Sequence, residues 1–502
     1  MARKYNDIQK NIAREGFFSE YLPPCFKVDL KAFNYPPIST CDLIKPYSFT
    51  MSRYNGNDSR RNIFIPEIGA YLALCEFVKN ANITKELIEF CDGSDHSFSP
   101  ILKEDDNIAF HEESYGQSVE EEDFSEYILN IEKKLIRATG AKKILKVDIS
   151  NCYASFYMHM FPAIMLGAEA AEREYKKHKD NPEDPSINPT YIKYNKLDGA
   201  VRRQNLNQTN GLLPGTIYSK VFAEAMLVRI DHELEDQSLK FVRYVDDYEF
   251  FLFDNDEKAT LSIVAKILKK YGFVLNNEKT EILDFPFYVV DNFRKILKDN
   301  IKESIPYADL IEIFNTFLKF EKNGVKGAIR YLLKVFKDNP QNIEDVELYK
   351  SYLITIMANN ERSLIKACEI LIEQKAELEF NQSDISVVLD MLNKHIDCDH
   401  DLEVIWLLYL LIETENINRG DKIIGEIVGT SNELAHSLLL NRNLLKDDQI
   451  EEICDKAESW LLLYELYKGD KISQEGFIEK LGIERNRSMY EKFYEKNIHF
   501  II

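Results

Sequence analysis

The chain has 502 residues, 45% of them hydrophobic, with 27 Tyr, 30 Phe and a formal net charge of −21. That length exceeds one compact core and predicts two or three domains, while the aromatic content excludes long disordered stretches. The acidity, about −8 over residues 1–300 and about −13 beyond, excludes tight non-specific binding of long duplexes but not a narrow basic channel.

The N-terminal MARKYNDIQKNIAREG has no apolar leader, and no apolar run reaches the roughly 18–20 residues that span a bilayer. A soluble, cytoplasmic protein without a membrane partner is expected. Residues 1–50 carry Pro23-Pro24, Pro36-Pro37 and the aromatic group Phe17, Phe18, Tyr21 and Phe26. They read as an extension packed on a core. Residues 70–91 look helical, 112–126 form an acidic loop, and 127–137 resume helical periodicity. Ile144–Ile149 is a short apolar strand containing Asp148, and the charged, Pro-containing stretch 174–199 is expected to be an exposed loop. A helix over 216–236 follows. Phe241–Val245 and Tyr248–Phe253 then read as a β-hairpin with Asp246 and Asp247 at its turn. Residues 257–271 are an amphipathic helix and Phe273–Leu275 a short strand. From about 303 onward the pattern is helical, with segments at 325–337, 348–358, 362–376, 383–394, 402–413 and 422–429. Irregular helix pairs of this kind suggest a helical-repeat array, the alternative being an ordinary bundle.

The eight cysteines include no Cys-x-x-Cys pair, so no structural zinc is expected, and a ligand role for His395, Cys398 and His400 is not expected either. Reduced thiols in a cytoplasm fit this spacing.

The acids at the strand ends carry the chemistry. Adjacent carboxylates in an apolar hairpin repel one another, and loss of water raises the cost. A divalent cation relieves both penalties. Mg²⁺ prefers hard oxygen ligands, and two ions about 4 Å apart can activate a 3′-hydroxyl and stabilise leaving pyrophosphate. A lone Asp-Asp pair is more often a solvated turn. Here four further features accompany it. Tyr153, five residues past Asp148, could pack under a sugar; by itself it would be a core aromatic. The Gly211–Gly215 turn lets backbone approach a nucleotide. Lys279, after a short strand, could neutralise pyrophosphate. Arg60 and Arg61 could fork onto phosphate oxygens.

In this order and spacing the segments resemble the motifs of reverse transcriptases over roughly residues 50–290. SRRNIFIPE (59–67) is similar to the fingers motif that holds the triphosphate. KVDISNCYASFY (146–157) is similar to palm motif A, and NGLLPGTIYSKVFAEAML (210–227) to motif B. RYVDDYEFF (243–251) carries the Tyr-x-Asp-Asp box, and VLNNEKTEIL (274–283) resembles motif D. Pro214 stands where most such enzymes have Gln, a departure that speaks against ordinary template-directed nucleotide handling. DFPFYVVDNF (284–293) lacks a clear primer-grip pattern. With GFFSEYLPPCF (16–26) and the helical C-terminal part, the chain resembles the bacterial abortive-infection and defence-associated reverse transcriptases, the AbiK-like group.

The resemblance implies an α+β fold. An N-terminal extension (1–50) would pack on reverse-transcriptase fingers and palm (51–300), an antiparallel sheet with helices behind it, and an all-α, HEAT-like repeat region (301–502) would follow. It implies an antiphage DNA polymerase of the bacterial cytoplasm. Two Mg²⁺ ions, with Mn²⁺ as substitute, would be held by Asp148, Asp246, Asp247 and the Ile149 carbonyl. Arg60, Arg61, Tyr153, Gly215 and Lys279 would bind dNTP. Synthesis would be template-independent and protein-primed, with Tyr5, Tyr21, Tyr35, Tyr47 and Tyr54 as N-terminal candidates for the DNA-bearing tyrosine. The alternatives are synthesis on an associated non-coding RNA, and a helical sensor or scaffold with a vestigial palm. Homo-oligomers, trimers or hexamers, are also implied.

Overall fold

The computed structural model describes residues 4–28, 41–52, 60–102, 108–109, 126–254, 256–287, 304–325, 327–338, 340 and 342–502, with the side chains of 126–131 left aside. The expected acidic loop up to residue 125, Tyr35, Tyr54 and Pro36-Pro37 lie outside the described residues.

Helix α1 (Tyr5–Glu15) buries Ile8, Ile12 and Ala13 on one face and leads into Phe17 and Phe18. Strands β1 (Tyr47–Ser52) and β2 (Arg60–Ile65) form an antiparallel hairpin with Tyr47 opposite Ile65. The apolar stretch 70–91 is two helices, α2 (Ile68–Asn80) and α3 (Ile83–Asp92), parted where Asn82 takes φ +54°. Asparagine tolerates that left-handed conformation better than most residues. Helix α4 (Glu126–Arg137) then delivers the chain to β3 (Lys143–Asp148), and the short α5 (Cys152–Ser155) follows.

Two sequence expectations are corrected between residues 168 and 284. The charged stretch 174–199 is largely helical, forming the end of α7 (Ala168–Asp180) and most of α8 (Pro189–Arg203). Asn188 caps α8 with a hydrogen bond from the Thr190 amide, and Pro189 sits at its first position, where a missing N–H costs nothing. Phe273–Leu275 is not a strand; Leu275 makes a single bridge to Ile149. The sheet is completed instead by β6 (Glu281–Asp284).

The expected hairpin is present as β4 (Phe241–Tyr244) and β5 (Asp247–Leu252), and the antiparallel sheet runs β4-β5-β3-β6. Register places Asp148 directly opposite Asp247. Because side chains alternate along a strand, Tyr248 enters the core while Asp247 faces the other way. Helix α9 (Ile217–Asp236) is buried around most of its surface and lies against α3 and α6 (Phe161–Leu166). Helix α10 (Glu257–Lys270) follows β5.

From Tyr307 the described residues are almost wholly helical, and a helix overlaps each of the segments named above, with ends that differ by up to three residues. This region packs on the N-terminal elements through specific polar contacts. The Trp406 indole donates to the Tyr21 carbonyl at 2.7 Å, the Thr50 amide to Asp401 at 2.8 Å, and the Asp42 carboxylate accepts from the amides of residues 484–486. Glu67, fully buried at the N-terminus of α2, accepts from the Tyr490 hydroxyl at 2.7 Å and from Asn486 at 3.2 Å. Burial pushes the Glu67 carboxyl above its ordinary range, and the Tyr490 bond opposes that shift. Tyr490→Phe removes one donor from a buried carboxylate and should destabilise the fold by about 1–3 kcal/mol in denaturant titration.

Candidate active site

Three chain segments meet at one end of the sheet. β3 ends at Asp148, the β4–β5 turn supplies Asp246, and β5 begins with Asp247. Ligand oxygens of the three carboxylates lie within 4.8 Å of one another, with Asp148 buried, Asp246 half-buried and Asp247 exposed. Among the described residues this is the one cluster of three or more metal-ligating side chains. His395 and His400 face each other through their Nδ1 atoms at 2.9 Å, and Cys398 is exposed.

The carboxylates border a cleft of about 1,210 Å³. Its walls are the 150–154 turn, the 210–217 loop, part of β2, the 275–279 loop and residues 19–21. Burial, and then repulsion from Asp148, pushes the Asp246 carboxyl up to about 6. The Asp247 carboxyl is raised too, by loss of water and then by Asp246 and Asp148. Three hard oxygen donors, two of them on carboxyls held above their ordinary range, suit a divalent cation.

Asp148 is held on both oxygens. The Asn276 side chain donates through Nδ2 to Oδ1 at 2.8 Å and Lys279 Nζ to Oδ2 at 2.6 Å. The loop bearing both is anchored by the Asn276 amide on the Asp148 carbonyl and the Ser150 amide on the Val274 carbonyl. Burial would lower the Lys279 pKa, but its hydrogen bond and charge pairing with Asp148 raise it on balance. Ile149 is buried, lines the cleft, and donates its amide to the Asp246 carbonyl at 3.3 Å.

Tyr153 and Gly215 line the same cleft, as does Arg61. The Leu212 amide donates to the Tyr153 carbonyl at 2.8 Å, tying the glycine loop to the turn after β3. Arg61 donates to the Tyr21 hydroxyl at 3.1 Å and lies over that ring, while its buried Nε has no hydrogen-bond partner. The structure does not bring Arg60 into the cleft. Neighbours on a strand point to opposite sides, and Arg60 pairs with Glu403 of the helical region. The expectation that both arginines bind phosphate is therefore corrected for Arg60. Three cleft residues carry no signal of their own in the sequence: Asn276, Tyr21, and Lys220, whose pKa burial lowers to about 8 and which donates to the Pro100 carbonyl.

Lys279→Met leaves Asp148 Oδ2 to a cation, so Mn²⁺ should bind several-fold more tightly, a gain that calorimetric Mn²⁺ titration measures.

No protein-family model and no curated protein sequence matches this chain. Among solved structures it is similar to telomerase from Candida albicans in complex with a TWJ fragment of telomeric RNA, at 13% identity, TM-score 0.30, and coverage of 78% of this chain and 64% of that one. It is also similar to apo telomerase from Candida tropicalis, at 13% identity, TM-score 0.33, and coverage of 80% and 68%. The matched part thus spans less than two thirds of the first of these chains.

Proposed function

We propose that this chain is a metal-dependent nucleotidyl transferase that adds deoxynucleotides to a 3′-hydroxyl, in the manner of a reverse transcriptase. The observation that carries the reading is the meeting of Asp148 with Asp246 and Asp247, remote in sequence, in one cluster within 4.8 Å at the edge of a cleft roomy enough for a nucleotide. On this reading the sheet is the palm, the β1–β2 hairpin belongs to the fingers, residues 51–300 form the catalytic unit, and 301–502 form a HEAT-like region.

Asp148 and Asp246 would hold two Mg²⁺ ions, with Asp247 and the Ile149 carbonyl beside them. Two such ions, when bound, acidify the attacking hydroxyl and neutralise the leaving pyrophosphate. The chain's own residues do the rest. Arg61, on the cleft wall, offers its guanidinium to the triphosphate, Gly215 lets the backbone close on the nucleotide, and Tyr153 crowds the sugar. Lys279 moves from Asp148 toward the leaving group. The cleft lining holds Arg61, Lys220 and Lys279 against Glu20, Asp148, Asp246, Asp247 and Glu278. Carboxylates outnumber cations, so a bare triphosphate is repelled and the nucleotide enters with its divalent cations.

The motif resemblance extends the proposal to phage defence in a bacterial cytoplasm, to oligomers, and to untemplated, tyrosine-primed synthesis, with Pro214 in the glutamine position as its support. Purified protein given Mg²⁺ and labelled dNTPs should yield a product, which Asp148→Ala does not. Sequencing the product and co-purifying nucleic acid decides templating. A defined RNA complementary to the product assigns templated synthesis, and random product without RNA assigns terminal addition. Mass spectrometry that finds no nucleotide on any tyrosine removes protein priming.

A further inference from the structure

The turn that carries Asp246 is strained and is held from behind. Val245 takes φ +53°, a left-handed conformation that a β-branched residue rarely adopts. Its carbonyl accepts from Arg243 Nη1 at 2.8 Å, and the next carbonyl, that of Asp246, accepts from the Ile149 amide. Arg243 is wholly buried. Its Nε and Nη2 reach Asp231 at 2.7–3.0 Å, and Nη1 and Nη2 reach Glu224 at 2.9 Å, both acids standing on α9. All five guanidinium N–H groups are thereby engaged. The acids are fixed in turn: Tyr248 donates to Asp231 at 3.1 Å and Ser97 to Glu224 at 2.6 Å.

A buried ion cluster by itself is weak evidence for anything beyond packing. Here one arm of the fork leaves the cluster and grips the strained peptide beside the carboxylate pair. We infer that Arg243 is a positioning residue: anchored on α9 by Glu224 and Asp231, it holds the Val245 carbonyl and so keeps Asp246 and Asp247 turned toward Asp148. Lysine, with one nitrogen, could not bridge both acids and the carbonyl.

The inference rests on the nucleotidyl-transfer reading, and Mn²⁺ titration of the full chain tests the two apart. Wild type should bind Mn²⁺. Arg243→Lys should bind it at least about 10-fold more weakly while keeping its circular dichroism spectrum. Arg243→Lys/Val245→Gly should regain most of the loss, because glycine adopts the left-handed turn without being held there. A residue that only filled the core would not be rescued at Val245. If Arg243→Lys does not fold, Glu224→Gln is scored instead, with an expected loss of about 3-fold. Wild type that binds no Mn²⁺ overturns the nucleotidyl-transfer reading and the inference with it. Wild type that binds beside a folded variant of equal affinity, or a double variant without recovery, overturns the inference alone.

Discussion

Asp246→Asn should abolish nucleotide addition and, in the same preparation, make the metal-free protein more stable. The loss follows from the cluster. Asn keeps the shape of Asp but brings no charge to a cation, and the rate should fall by at least about 10³-fold. The gain follows from linkage. In the fold the Asp246 carboxyl is raised to about 6, by burial and then by Asp148, against about 3.9 in an unfolded chain. Protonation therefore favours the folded state. That contribution is complete below about pH 4 and is lost as pH rises through about 6, so at pH 7.5 the ionised carboxylate weighs against folding. With discount for its partial exposure, the penalty is about 1–2 kcal/mol. Asn removes it, and thermal melts without metal should show a midpoint raised by a few degrees. Mg²⁺ should stabilise wild type more at pH 8 than at pH 5, where ligand protonation opposes binding, and should leave Asp246→Asn nearly unmoved at both.

Gly215→Ala should damage fold and substrate binding together. Gly215 has φ +135°, and a Cβ there would stand 2.4 Å from the Phe64 carbonyl oxygen and 3.0 Å from Ile63 Cγ2. The obstruction is backbone of β2, which cannot rotate aside. The loop and the strand touch there because the Phe64 amide donates to the Pro214 carbonyl at 2.7 Å. Pushing them apart moves the strand that carries Arg61 away from the carboxylates. Strain and overpacking together should cost about 2–4 kcal/mol, and KM for dNTP should rise about 10-fold. Gly211→Ala is the control. It shares a positive φ, +87°, but its Cβ meets nothing nearer than 3.4 Å. That variant should lose only about 1–2 kcal/mol, with KM little changed. Equal KM effects from the two would mean that the approach of β2 to the loop does not set the nucleotide site.

The carboxylates were legible because acids in apolar strands are conspicuous, and the hairpin register then follows from strand alternation. The helices beyond residue 307 were legible from spacing. Helices α7 and α8 were not, since dense charge and proline also mark exposed loops, although Asn188-Pro189 is a helix-start signature. Phe273–Leu275 has a strand's composition, yet within it only Leu275 forms a β-bridge, to Ile149. Which of Arg60 and Arg61 faces the cleft was beyond local reading, because Glu403, far along the chain, decides it. Arg243 could have been found. An arginine inside FVRYV shares a strand face with Phe241, and Glu224 and Asp231, seven residues apart on a helix, can meet it.

Crystals grown with Mn²⁺ and a non-hydrolysable deoxynucleoside triphosphate, with diffraction recorded at the manganese edge, give the most direct test. Two anomalous peaks about 4 Å apart, bracketed by the carboxylates of residues 148 and 246 with the triphosphate against Arg61, are the expected result. Peaks elsewhere, or an Asp148 carboxylate more than about 10 Å from the other two, would contradict a shared metal centre and the polymerase reading built on it.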